Sequence, residues 1–187
     1  MNKNIITTML FCALMSSALS YAQHFDKLDK DPVDIAYLTT DNKMPQPLVK
    51  VVYGRPKKEA EHVFGEQVPF GEIWRTGANE ATEIKFYTDM SFGKKLVKAG
   101  TYVLHTIPGE KEWTIILNNN TDTWGAFFYD QSKDVVRVKI PAKEAEEIDV
   151  FSIGFKEEFK NTYMVLAWDQ TRIDIPLATQ DVILAKL

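Results

Sequence analysis

Short runs that alternate apolar and polar residues, with no long amphipathic helix between them, constrain this chain more than any other feature. In 82–87 (Thr-Glu-Ile-Lys-Phe-Tyr), Ile84 and Phe86 fall on one face and Glu83 and Lys85 on the other. Val136, Val138 and Ile140 alternate with Arg137 and Lys139. Phe151, Ile153 and Phe155 form a third set, Met164, Leu166 and Trp168 a fourth, and Ile173, Ile175 and Leu177 a fifth after a turn at Asp169-Gln170-Thr171. The stretch 48–53 is apolar and β-branched, and 101–107 is apolar on both faces, as a central strand requires. Pro108-Gly109-Glu110-Lys111 then reads as the turn of a hairpin leading into 113–117. About eight or nine short strands at regular spacing predict an all-β fold, an antiparallel β-sandwich. Two segments have helical composition, 57–64 and 142–147, each enough for one or two turns. Neither is long enough for a parallel crossover.

The ends of the chain set its boundaries. Lys3 precedes an apolar run over 5–19, and Ser20-Tyr21-Ala22 puts small residues before Gln23. These are the parts of a cleavable signal peptide over 1–22. The run is short and interrupted against the roughly 20 apolar residues of a spanning helix, so no transmembrane anchor is expected after cleavage. Cys12 is the only cysteine and leaves with the leader. The remaining chain is therefore expected without disulfides, thiolate metal sites or cysteine nucleophiles, and must be stable through its core. Without Lys3 the basic count falls from 22 to 21 against 26 acidic side chains. That balance argues against nucleic acid as a partner. Residues 23–47 carry Pro32, Pro45 and Pro47 and read as a linker or N-terminal arm, with 34–38 able to add an edge strand. The sandwich domain is placed at 48–177 and a C-terminal tail at 178–187. The localisation expected is periplasmic or extracellular.

Residues 53–80 differ from ordinary strand and turn. Tyr53-Gly54-Arg55-Pro56 sets a cation before a rigid proline, and Trp74-Arg75-Thr76-Gly77-Ala78-Asn79-Glu80 packs donors, acceptors and a large apolar plate into seven residues. Such loops on a β scaffold are where binding sites concentrate. These residues, with Phe64-Gly65, Val68-Pro69-Phe70-Gly71, Ala99-Gly100-Thr101-Tyr102, Thr106-Ile107-Pro108-Gly109, Trp113-Thr114, Trp124-Gly125 and Asp130 ahead of Val135-Val136-Arg137-Val138, resemble a bacterial family of exported proteins known only as a domain of unknown function. The resemblance covers about 48–177 and rests above all on the string from Trp74 to Glu80. It implies an exported β-rich domain behind a signal peptide, and it assigns no activity and no catalytic residue. His105 stands where the family has an aromatic or aliphatic residue.

Two readings of the polar groups are open. Arg55, Arg75, Asn79 and Glu80 suit a ligand site, with guanidiniums for a carboxylate or phosphate and an amide and carboxylate for orientation. They equally suit a buried ion-pair network that satisfies an irregular loop, which is the preferred reading. Four aromatics crowd 124–129, flanked by Asp122, Asn118 to Asn120 and Asp130. They suit a sugar platform, or a cap that closes one end of the core; the cap is preferred. Glu80 and Asp130 could serve a carbohydrate-active hydrolase only if they stood about 5 to 10 Å apart across a pocket. His24, His62 and His105 make no metal pattern, and nucleophile-elbow, P-loop, dinucleotide and EF-hand signatures are absent from the sequence. His105 shares a face with Val103 and Ile107 and reads as a core histidine.

The sequence thus predicts an exported sandwich domain that binds a small-molecule or carbohydrate ligand without catalysis, with no cofactor and no metal. The candidate ligand residues are Arg55, Trp74, Arg75, Asn79, Glu80, Trp124 and Asp130. A carbohydrate-active hydrolase and a structural envelope-assembly protein are the alternatives.

Overall fold

The computed structural model describes residues 29–40 and 43–179. The leader over 1–22, His24 and nearly all of the tail lie outside them. Nine antiparallel strands form one sheet. In chain order they are β1 (Val33–Thr39), β2 (Pro47–Gly54), β3 (Thr82–Phe86), β4 (Met90–Phe92), β5 (Lys95–Val97), β6 (Gly100–Ile107), β7 (Glu112–Asn118), β8 (Asp134–Glu158) and β9 (Asn161–Thr179). Across the sheet the order is β1-β2-β3-β6-β7-β8-β9-β4-β5. Among the described residues, no helix is long and apolar enough to cross a membrane.

The sheet folds over on itself because β8 serves two partners. Its first part pairs with β7 up to Pro141, and from Ala142 it pairs with β9. Register shifts on either side of Ile148 bend it, and Asp169 on β9 sits opposite at φ 52°. The halves then face each other. Phe86 on β3 meets Phe92 on β4 with ring centroids 5.9 Å apart, and Tyr53 on β2 meets Phe151 on β8 at 5.6 Å. Neither pair of strands is adjacent in the sheet, so these contacts run across the sandwich, and one apolar cluster fills it. The alternation read from the sequence supplies that cluster: Val49 and Val51, Ile84 and Phe86, Ile115 and Leu117, Phe151 and Ile153, Met164 and Leu166 all point inward and are buried.

Neither segment of helical composition is helical. Residues 142–147 continue β8, with Ala142, Lys143 and Glu144 opposite Ile173, Arg172 and Thr171. Ladder pairing overrides the helix preference of that charged run. Residues 57–64 form an irregular loop whose amides bond elsewhere. Lys58 N–H donates to Asp149 O at 2.7 Å, Glu59 N–H to Gln67 Oε1, His62 N–H to Glu66 Oε2, and Val63 N–H to Asp169 Oδ2 at 3.0 Å. Side-chain and cross-strand acceptors replace the carbonyls of a helix. β1, inside the stretch read as a linker, is the edge strand anticipated there.

Candidate functional site

Residues 55–81 close one end of the sandwich. Pro56 and Lys58 lie beside β8, where Phe151 N–H donates to Pro56 O at 2.9 Å. The Lys58 ammonium bridges Asp169 at 2.8 Å and also pairs with Glu147. With these anchors the loop inserts Phe64 and Trp74 between Trp113, Trp168 and Phe151. Phe64 meets Trp113 at 4.6 Å, and Trp74 meets Phe151 at 5.0 Å. Trp74 also exchanges backbone hydrogen bonds with Thr106 of β6, N–H to O at 2.7 Å and O from N–H at 3.0 Å. It occupies the lane beside β6 that β3 leaves empty. The core is therefore capped by Phe64 and Trp74, not by the aromatics of 124–129. Trp124, Phe127 and Phe128 are 56%, 82% and 66% exposed, and that expectation is corrected.

After Trp74 the chain turns tightly over β2. A Cβ on Gly54 would lie 2.1 Å from the Ala78 carbonyl oxygen, and one on Gly77 would lie 2.8 Å from Gly54 O. Only glycines permit this approach. Thr76 and Asn79 hold left-handed backbone at φ 59° and 60°, unusual for any residue and costly for a β-branched one. Thr76 is held there by burial, a 3.1 Å hydrogen bond to Thr106 Oγ1, and a 2.6 Å bond that its carbonyl accepts from Thr82 Oγ1. Residues 79–81 then pair with 123–125. Ala81 N–H donates to Thr123 O at 3.1 Å and Gly125 N–H to Asn79 O at 3.2 Å.

This pairing builds one wall of a groove of about 470 Å³ on the sheet face opposite the core. Its floor is Val33 of β1, Val52 of β2 and Val103 of β6. Glu83 lies in the same cross-strand row, opposite Val52 and Val103. The rim carries Asn79, Glu80, Asp122 and Trp124. Among the described residues, the carboxylates of Glu80 and Glu83 have no hydrogen-bond or ion-pair partner, and no Lys or Arg lines the groove. Thr123 Oγ1, a buried hydroxyl in the same lining, is also unpartnered. Asp122 shares the left-handed backbone of the rim at φ 58°.

The structure thus brings together Asn79, Glu80 and Trp124 from the candidate residues. Arg75 lines a neighbouring cleft. Trp74 is in the core. Arg55 reaches Asp34 at 3.1 Å, in a cluster where the Tyr53 hydroxyl also donates to Asp34 at 3.3 Å. Asp130 lies outside the groove and caps the 3-10 turn Gln131–Lys133, accepting from Ser132 N–H at 2.9 Å and Ser132 Oγ at 2.7 Å. Those bonds hold its carboxyl below the usual range. Glu80 and Asp130 are therefore not paired in one pocket. Glu83 and the valine floor escaped the sequence reading, although the outward register of Glu83 in an alternating strand was a usable signal.

The outer face near the groove is sealed by 119–133. His105 is buried beneath Tyr129, ring centroids 5.2 Å apart. Burial pushes its imidazole down to about 4, against a hydrogen bond with the Trp74 backbone and the charge of Asp134, which act the other way. No group of three His, Cys, Asp or Glu among the described residues is placed to hold a metal ion.

Fold and groove together define an antiparallel β-sandwich with an open, acidic and aromatic surface groove. Residues 37–177 match the model of a family described as proteins of unknown function, DUF2911, and the chain belongs to that family. No curated protein and no solved structure matches it.

Proposed function

We propose that the protein is an exported, non-catalytic ligand-binding domain whose groove takes a small neutral sugar. The observation that carries this reading is the exposed Trp124 ring beside the unpartnered Glu80 and Glu83 carboxylates, over an apolar floor. A sugar offers both complements, an apolar face that stacks on an aromatic plate and hydroxyls that donate to carboxylates. Carboxylates without a cation beside them disfavour an anionic ligand. Export rests on the leader pattern over 1–22 and on a cysteine-free remainder. N-terminal sequencing of protein recovered outside the cytoplasm should begin at Gln23.

The test is a thermal-shift screen against neutral mono- and oligosaccharides, since a ligand bound only by the native state raises the melting point. The expected result is a saturable rise with at least one sugar, lost in Trp124→Ala and weakened in Glu80→Gln. No rise with any sugar, or an unchanged rise in Trp124→Ala, would remove the groove from consideration. Assaying the same mixtures for new reducing ends tests the hydrolase alternative, for which the placement of Asp130 gives no support.

A further inference from the structure

We propose that the cleft beside the groove is a second binding site, specific for a small monocarboxylate anchored by Arg75. The cleft encloses about 260 Å³ between the 55–81 loop and the strip at Lys30 and Asp31. It is distinct from the groove: Asp29 lines one side of the strip and Lys30 and Asp31 the other, with only Ala78 common to both.

Arg75 is the group in the cleft that points to a ligand. Of the other partly buried cations, Arg55, Lys58 and Lys156 each reach a carboxylate, Asp34, Asp169 and Asp174 respectively, and Lys50 on the open face of β2 reaches none. Arg75 is partly buried and lines a cleft, its Nε is fully buried with no hydrogen-bond partner, as is that of Arg55, but unlike Arg55 it has no carboxylate among the described residues within ion-pair distance. Asp31 acts on it only through space, and burial pushes the guanidinium down without discharging it. A desolvated charge of this kind is costly unless something supplies the counter-charge. With Nε buried, the edge left to offer is the Nη1–Nη2 pair, whose two parallel N–H groups match the two oxygens of a carboxylate.

The rest of the lining narrows the ligand. Lys57 is a second cation with no carboxylate partner, whereas Lys30 is neutralised by Glu59 at 3.2 Å. Asp31 and Glu72 face the same space and repel additional negative charge, so a polyanion is excluded by like-charge repulsion. Trp168, Val68 and Pro56 supply an apolar wall for a short organic tail. One negative charge, two oxygens and a small apolar body describe a monocarboxylate.

The test is calorimetric titration of the purified protein at low ionic strength with acetate, propionate, glycine, inorganic phosphate and citrate. Saturable binding of at least one monocarboxylate is expected, with phosphate and citrate weaker. Arg75→Gln should weaken it by about tenfold or more. Arg75→Lys should lose several-fold, because an ammonium cannot make the paired contact. Lys57→Gln, an exposed change that leaves the fold alone, should lose a few-fold. The melting point of ligand-free Arg75→Gln should equal or exceed that of the parent, because an unpaired charge is being removed. A lower melting point would assign Arg75 to the fold and overturn the site. So would the absence of monocarboxylate binding, its persistence in Arg75→Gln, or tighter binding of phosphate. Trp124→Ala should bind carboxylates normally, so failure of the sugar reading leaves this one standing.

Discussion

The irregular segments 55–81 and 119–133 carry the same ingredients, aromatic rings interleaved with polar groups, and use them in opposite ways. The first turns Phe64 and Trp74 into the core and hangs its backbone on the sheets through Lys58, Asp169 and Thr106. The second keeps its backbone on the outer face through Asn118, Asp134 and Tyr129 and leaves Trp124, Phe127 and Phe128 in solvent. What separates them is which ladder positions are vacant. Where β3 stops short, Trp74 can take a lane beside β6 and its ring falls on the inner face. The 119–133 segment crosses a face whose lanes are already filled by β6 and β7, so Trp124, Phe127 and Phe128 point out and only Tyr129 turns back, over His105.

Substitutions should expose this difference, the largest effect first. Trp74→Ala removes a ring packed against four others and should cost about 3–5 kcal/mol in chemical denaturation. A cost near zero would mean that the first segment is not part of the core. The second segment is tested by acid. The His105 imidazole titrates near 6.5 in an unfolded chain and about 4 in the folded one, so the unfolded chain takes up the proton first. Stability is therefore full above about pH 6.5 and falls as pH drops toward 4, by at most about 3 kcal/mol. In His105→Phe this loss should vanish across that window; a persistent slope would assign it to other groups.

Smaller effects separate anchor from display. Asp169→Ala leaves the buried Val63 N–H without its acceptor, which should cost about 1–3 kcal/mol from that donor alone. Equilibrium unfolding checks it, and an unchanged midpoint would mean that the 57–64 loop is not held from β9. Trp124→Ala and Phe127→Ala should each move stability by less than about 0.5 kcal/mol, since both rings are exposed. A larger loss in either would restore the cap reading of 124–129.

The β architecture was legible because burial on a sheet leaves a period of two in the residues, and Ile84 with Phe86 or Ile153 with Phe155 carries it openly. The bend was not. Periodicity cannot distinguish two strands from one strand that changes partners, so 136–140 and 151–155 read as separate where β8 runs through both. The hairpin of β4 and β5 went unread because three residues on each side show too little alternation, although Gly93-Lys94, both at positive φ, forms its two-residue turn. Of the candidate residues, Asn79, Glu80 and Trp124 meet at one groove. The polar groups of Arg55, Asn79 and Asp130 are occupied by Asp34, Asp29 and Ser132, whereas the Glu80 carboxylate is not, and occupancy is a property of three-dimensional neighbours.

The position of β9 between β8 and β4 governs how the molecule is made. β4 and β5 emerge early, yet their place in the sheet is fixed only by β9, which emerges last. The outer edge of β4 must wait for its ladder until residues near 177 are present. Such long-range closure is slow and leaves sticky edges open meanwhile. A chain shortened before β9 would leave both β8 and the β4–β5 hairpin without the strand that joins them, so deletions from the C-terminal side should produce aggregates instead of a smaller folded domain.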